Sequence, residues 1–180
     1  MKIAMIASEA VPFAKTGGLA DVAGALPLAL EDCAHEVIII MPRYKCVTAA
    51  KFPMSRVSKD ISCSVIGKKI KVYFIEHDFY FNRDGLYGDK NGDYKDNLER
   101  FAFFCRRALD LLKEINFAAD IAHLHDWQSS LVAVYLKNLY AAQPFYSKMK
   151  TILTIHNLGY QGIFPKDDFA KLGLDRNLFD

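Results

Sequence analysis

The chain has 180 residues, 52% of them hydrophobic, and 23 Lys and Arg against 21 Asp and Glu leave a formal charge of +2. A chain this apolar and this weakly charged offsets its ordering entropy by burial, which excludes disorder. Near-neutrality argues against a nucleic-acid partner, which needs a concentrated basic stripe, and aliphatic runs such as Val37–Met41 are far too short to span a bilayer.

Lys2–Ser8 is aliphatic and lacks polar alternation, the pattern of a strand buried on both faces. Glu9 falls where the core of a leader peptide would lie, so the segment reads as a first strand and the protein as cytoplasmic. Pro12 to Gly18 then leads into a helix with Leu19, Val22, Ala23, Leu26 and Leu30 on one face, which Pro27 should kink or restart. Glu36–Met41 is a second buried strand. Ile61–Ile66 is a weaker strand, suited to a hairpin with Lys69–His77 across Gly67-Lys68.

Asp78–Asp96 is too long and too rich in Asp, Asn, Gly and aromatics for an idle connector, and reads as a polar surface loop or lid. Its Asp89, Asn91 and Asp93 imitate the start of a calcium loop. Tyr94 stands where that turn needs glycine, however, and Arg100 where the closing glutamate belongs. Leu98, Phe101, Ala102, Cys105, Leu109 and Leu112 then form a helical stripe, with Asp96 as N-cap and Glu99 three residues later. Asp120–His125 is a strand, Leu131, Tyr135 and Leu139 mark a helix that ends before Pro144, and Thr151–His156 is a last buried strand. Strands alternating with helices predict an α/β fold: a doubly wound, mostly parallel, Rossmann-like sheet with right-handed crossovers. Cys33, Cys46, Cys63 and Cys105 form no C-x-x-C pair and read as buried free thiols of a reducing compartment.

Polar residues gather where these strands end, and open parallel sheets bind ligands beyond the carboxyl ends of their strands. Glu9, His125, Asp126, His156 and Asn157 therefore converge on one crevice. In the first loop, Gly17 and Gly18 let backbone N–H groups approach an anion at a helix start, and Lys15 adds a full charge, a combination suited to a pyrophosphate. A metal on His123, His125 and His156 is weighed and set aside, because His123 lies mid-strand in an apolar run. No cysteine or serine sits in a nucleophile elbow.

Val11–Val22 (VPFAKTGGLADV), His123–Trp127 (HLHDW) and Thr154–Gly162 (TIHNLGYQG), with Tyr94–Asn97 as a fourth stretch, resemble in family order the signatures of bacterial glycogen synthases and plant starch synthases. That resemblance implies a retaining GT-B glycosyltransferase of two Rossmann-like domains. Such an enzyme moves glucose from ADP-glucose to the non-reducing end of an α-1,4-glucan such as glycogen, without a metal or other cofactor. Residues 1–180 would then be the first part of the N-terminal, acceptor-side domain, a fragment of a longer protein without its C-terminal nucleotide-binding domain. By the same resemblance Lys15, Gly17 and Gly18 bind the donor's phosphates, His156 and Asn157 hold the transferred glucose, and Asp126 lies beside the reacting centre. Glu9 and Tyr94 match cleft-lining positions. Gly159 stands where alanine is usual, and Gln128 where histidine is common.

A dinucleotide-dependent oxidoreductase would need G-x-G-x-x-G after the first strand and an acidic residue at the end of the second, where Met41-Pro42-Arg43 stands instead. Another GT-B nucleotide-sugar transferase, such as a sucrose synthase type, is an open alternative. So is a non-catalytic sugar-binding half-site for this chain by itself.

Overall fold

The computed structural model describes residues 1–179. Strands β1 (Lys2–Ile6), β2 (Glu36–Pro42), β3 (Ser55–Ser58), β4 (Ile61–Ile66) and β5 (Ile70–Ile75) are followed by a two-residue hairpin, β6 (Gly88–Asp89) with β7 (Gly92–Asp93), and then by β8 (Ile121–His125) and β9 (Lys150–Thr154). The helices are α1 (Gly18–Asp32), the single turn α2 (Asp78–Phe81), α3 (Asn97–Glu114) and α4 (Trp127–Asn138). Seven strands make one sheet in the order β3-β4-β5-β2-β1-β8-β9. The five from β5 to β9 run parallel, while β4 and β3 extend the sheet as antiparallel strands. This is the mostly parallel α/β fold that the alternating pattern predicts.

Strand order reverses at β1: the chain first builds outward through β2 and β5, then returns to lay β8 and β9 on the other side. Right-handed crossovers then carry α1 on one face of the sheet and α3 and α4, which pack together, on the other. Covered on both faces, β1, β2 and β5 bury nearly every residue, which is why they read as continuous aliphatic runs. Among the described residues no helix is long and apolar enough to cross a membrane.

The sequence expectations depart from the structure in several places. Helix α1 runs unbroken through Pro27. A proline inside a helix costs about 3 kcal/mol, but Leu19, Ala20, Ala23, Gly24 and Pro27 are all buried, and that packed face holds the helix together. Strand β3 is polar and largely exposed, so it carries no hydrophobic signal. Asp96 occupies the N-cap position of α3 without a side-chain cap; its carboxylate instead takes two bonds from Arg83, at 2.8 and 2.6 Å. Cys63 and Cys105 are buried, but Cys33 and Cys46 are exposed, at the end of α1 and in the turn after β2. Strand β9 is not covered on both faces: it is the sheet's edge, and Ile152 and Leu153 are each 47% exposed.

Candidate active site

The carboxyl ends of β1 and β8 lie side by side where the strand order reverses, the position at which open α/β sheets bind ligands. Beyond β1 the chain loops to Gly17, the N-cap of α1, in extended conformation. A Cβ added to Gly17 or Gly18 would meet no atom within 4 Å, so nothing in the chain's own packing demands glycine there. The space over the loop is open to a ligand, next to the unbonded N–H groups of the first turn of α1. Lys15 Nζ lies 2.7 Å from both carboxylate oxygens of Asp21, one turn into the helix. Both side chains are about half exposed, and such surface pairs are worth about 0–1 kcal/mol, so the ammonium is readily given up to a phosphate.

Glu9 is buried beneath this loop. Its carboxylate accepts from Thr16 through both the backbone N–H and Oγ1, the latter at 2.7 Å, and from the Tyr87 hydroxyl at 2.6 Å. Tyr87 also bonds Ser8 Oγ at 2.7 Å. Glu9 thus ties the glycine loop, one residue from Lys15, to the long segment between β5 and α3. Burial first, then Tyr44 and Glu9, push the Tyr87 phenol well above its ordinary pKa, so it stays a donor.

Beyond β8 stands Asp126, the N-cap of α4, with φ +57° and ψ −175°. That region is essentially restricted to glycine and costs about 1–3 kcal/mol for other residues. Three bonds impose it: the Asp126 N–H donates to Thr154 O at 2.9 Å, its carbonyl accepts from Ser129 N at 3.3 Å, and Oδ1 accepts from the His156 N–H at 2.6 Å. Oδ2 has no hydrogen-bond partner among the described residues. Backbone strain held in place by its surroundings in this way clusters at active sites and ligand clamps.

His156 Nε2 lies 2.9 Å from Nδ1 of the buried His125. Burial, then the neighbouring His123 and His156, push the His125 pKa down to about 3. An unfolded imidazole takes its proton near pH 6.5, so between these values the unfolded chain binds more protons and stability falls as pH falls. From pH 7 to pH 5 His125 alone should remove roughly 2 kcal/mol. His123, also lowered by burial and then His156, acts in the same direction. Urea unfolding at the two pH values should show the loss, and His125→Asn should flatten it; a wild type equally stable at both would contradict a neutral buried His125.

The segment carrying His156 and Asn157 is held by Trp127, whose ring meets Phe101 at 5.1 Å, Phe164 at 5.3 Å and Tyr160 at 5.8 Å. Gly162, with φ +64°, lies so close that any Cβ would enter the Trp127 ring. Here glycine is required by the chain itself, in contrast to Gly17 and Gly18. Asn157 is exposed, and its Oδ1 accepts from Gly159 N at 2.9 Å.

The long segment between β5 and α3 is organised by Arg100, which is completely buried. It donates to Tyr80 O at 2.7 Å, Leu86 O at 3.0 Å and Asn97 Oδ1 at 2.6 Å, and lies over the rings of Tyr94 and Phe81. Tyr94 is half-buried between Arg83 and Arg100, with its hydroxyl accepting from Gly85 N at 3.3 Å. Asp89 and Asp93, the would-be calcium ligands, bond Asn91 N and the Tyr160 hydroxyl. Arg100→Ala would leave three acceptors without their donor and open a cavity, so we expect a loss of about 3–5 kcal/mol in urea unfolding. A loss under 1 kcal/mol would show that Arg100 does not hold the segment.

The structure therefore joins Asp126 to His156 directly, and Glu9 to the loop of Lys15, Gly17 and Gly18. Lys15 makes no direct bond to Asp126 or His156, and Tyr94 and Asn157 are engaged by their own neighbourhoods. Sequence reasoning missed Asp21, Thr16, Tyr87, and Arg100 as an anchor. Arg100 did leave a signal: a charge inside the apolar stripe of α3, between Leu98 and Phe101. Among the described residues no group of three or more His, Cys, Asp or Glu is arranged to hold a metal; His125 Nδ1 is turned to His156 instead.

The chain is 45% identical to a glycogen synthase of Geotalea daltonii and 47% identical to one of Syntrophotalea carbinolica, over 99% of its own length in each case. It spans about 40% of the length of these curated relatives. Its fold superposes on the catalytic domain of starch synthase IV from Arabidopsis thaliana, a structure bound to ADP and acarbose, with a TM-score of 0.86 and 31% identity, covering 98% of this chain and 38% of that one. The family model of the starch synthase catalytic domain matches residues 2–180, so the chain belongs to the starch synthase catalytic domain family of glycosyltransferases.

Proposed function

We propose that the protein carrying this chain transfers glucose from ADP-glucose to the non-reducing end of an α-1,4-glucan with retention of configuration. In this reading residues 1–180 form the acceptor-side wall of the cleft and the first part of an N-terminal domain, and a C-terminal nucleotide-binding domain supplies the opposite wall. The observation that carries it is the pairing, across the switch point, of an open glycine loop bearing a loosely held lysine with a strained, buried aspartate bonded to the His156 backbone.

Breaking the bond between the glucosyl C1 and the phosphate oxygen puts negative charge on the nucleotide and positive charge on the sugar ring. Lys15, Gly17, Gly18 and the N-terminus of α1 stabilise the first. Asp126 stabilises the second and orients hydroxyls, while His156 and Asn157 hold the glucose. Glu9 acts from below by fixing Thr16, and Tyr94 is assigned to the cleft lining by the family resemblance alone. The structure bound to ADP and acarbose supports a nucleotide and a glucan-like ligand for the same fold.

One wall of a cleft neither completes the donor's contacts nor excludes water. Purified residues 1–180 are therefore expected to unfold cooperatively and to show no ADP release or glucan elongation, while the full-length protein does both with ADP-glucose. A full-length protein inactive on ADP-glucose and glucan would overturn the proposal, and turnover by residues 1–180 near the full-length rate would overturn the half-site assignment.

A further inference from the structure

The ring of His125 is sealed: 0% exposed, with Nδ1 2.9 Å from His156 Nε2 and its own Nε2 without a hydrogen-bond partner among the described residues. His123 stacks on it with ring centres 4.3 Å apart and keeps its own Nε2 2.7 Å from Thr154 Oγ1. A neutral imidazole carries one N–H and one bare nitrogen, so the proton in the His125–His156 contact has two placements. If His125 carries it on Nδ1, it donates to His156 Nε2, and only a lone pair is left facing the core. If His156 donates instead, the proton of His125 sits on Nε2 as a buried N–H with no acceptor. Among backbone groups orphaned buried N–H donors are rarer than under-satisfied acceptors, and we extend the same preference to the imidazole.

We propose that His125 is a positioning residue: it donates from Nδ1 to Nε2 of His156 and holds His156 as its Nδ1–H tautomer, so that His156 meets its ligand as a hydrogen-bond donor and not as a base. The bond made by one ring nitrogen decides what the other presents. With Nε2 occupied, the free ring atom of His156 is Nδ1, which has no partner among the described residues and belongs to a half-buried ring two residues beyond β9. An N–H there suits a sugar hydroxyl oxygen and has no lone pair for an acceptor's proton. Only the identity of that oxygen rests on the glucosyl-transfer reading; the tautomer does not.

The test is ligand-free. In 15N-labelled residues 1–180, long-range proton–nitrogen correlation assigns each histidine's tautomer, and only five histidines are present. The wild type should show the proton on Nδ1 of both His125 and His156. His125→Phe should shift the His156 ratio of Nδ1–H to Nε2–H by about tenfold toward Nε2–H, the effect of one lost hydrogen bond. His125→Asn, whose side-chain amide keeps a donor near the same place, should retain Nδ1–H. A wild-type His156 protonated on Nε2 overturns the proposal, as does an unchanged ratio in His125→Phe. Should that variant fail to fold, the one-bond coupling of the shared proton in the wild type, to His125 Nδ1 or to His156 Nε2, decides by itself. Adding ADP-glucose or maltotriose to the likewise labelled full-length protein tests the ligand separately, since failure to move the His156 Nδ1–H signal there counts against the functional reading and leaves the tautomer result standing.

Discussion

Asp126→Asn in the full-length protein is expected to lower kcat by on the order of 10²- to 10³-fold with little change in the KM for ADP-glucose, because it removes charge that matters most when the sugar ring becomes positive. Asparagine keeps the side-chain oxygen that accepts from the His156 N–H and, being isosteric with aspartate, adds no backbone strain to that already present at φ +57°. Stability should therefore hold within about 1 kcal/mol, so that lost activity reports on charge and not on unfolding. Asp126→Ala gives the contrast: it drops the His156 bond while keeping a side chain at φ +57°, and should lose stability as well as rate. Urea unfolding and steady-state kinetics on the two variants separate these effects. An Asp126→Asn enzyme with wild-type kcat would remove Asp126 from the reacting centre.

Lys15→Ala should act on the donor. Losing one charge-assisted contact to phosphate is expected to cost roughly tenfold to several hundredfold in kcat/KM for ADP-glucose, with the glucan KM little changed. Because Lys15 is held only by an exposed pair with Asp21, the substitution should leave folding intact. Lys15→Arg tests geometry, since a planar fork does not copy a compact ammonium over the open glycine loop, and it should recover only part of the loss. An unchanged donor KM and kcat in Lys15→Ala would take the lysine out of the site. The same kinetics on Glu9→Gln would show how far a buried carboxylate acts through Thr16: the donor parameters should move in the direction of Lys15→Ala, by less.

What the sequence by itself determined is whatever depends on burial of whole strands and on short chain distances. The runs Glu36–Met41 and Asp120–His125 read as interior strands, because Val37–Met41 has no polar residue and His123 alone interrupts the second between its ends, and strands alternating with helices left little but a parallel α/β sheet. The hairpin across Gly67-Lys68 was legible too, and Gly67 turns there with φ +59°. The ends of those strands brought Glu9, Asp126 and His156 into view together. The tertiary structure alone decided how each one acts. Asp96 was drawn from its cap to Arg83, Glu9 was buried under the loop it holds, and Asp126 was forced into a backbone conformation that no spacing rule anticipates. Arg100 became an anchor because three acceptors and two aromatic faces, supplied by residues 80 to 97, closed around it. Strand β9 has Ile152 and Leu153 at its centre yet lies exposed at the sheet edge. The physical reason is common to all of these: periodicity reports which face of an element is apolar, whereas hydrogen-bond partners, strain and edge position depend on what the rest of the chain places against it.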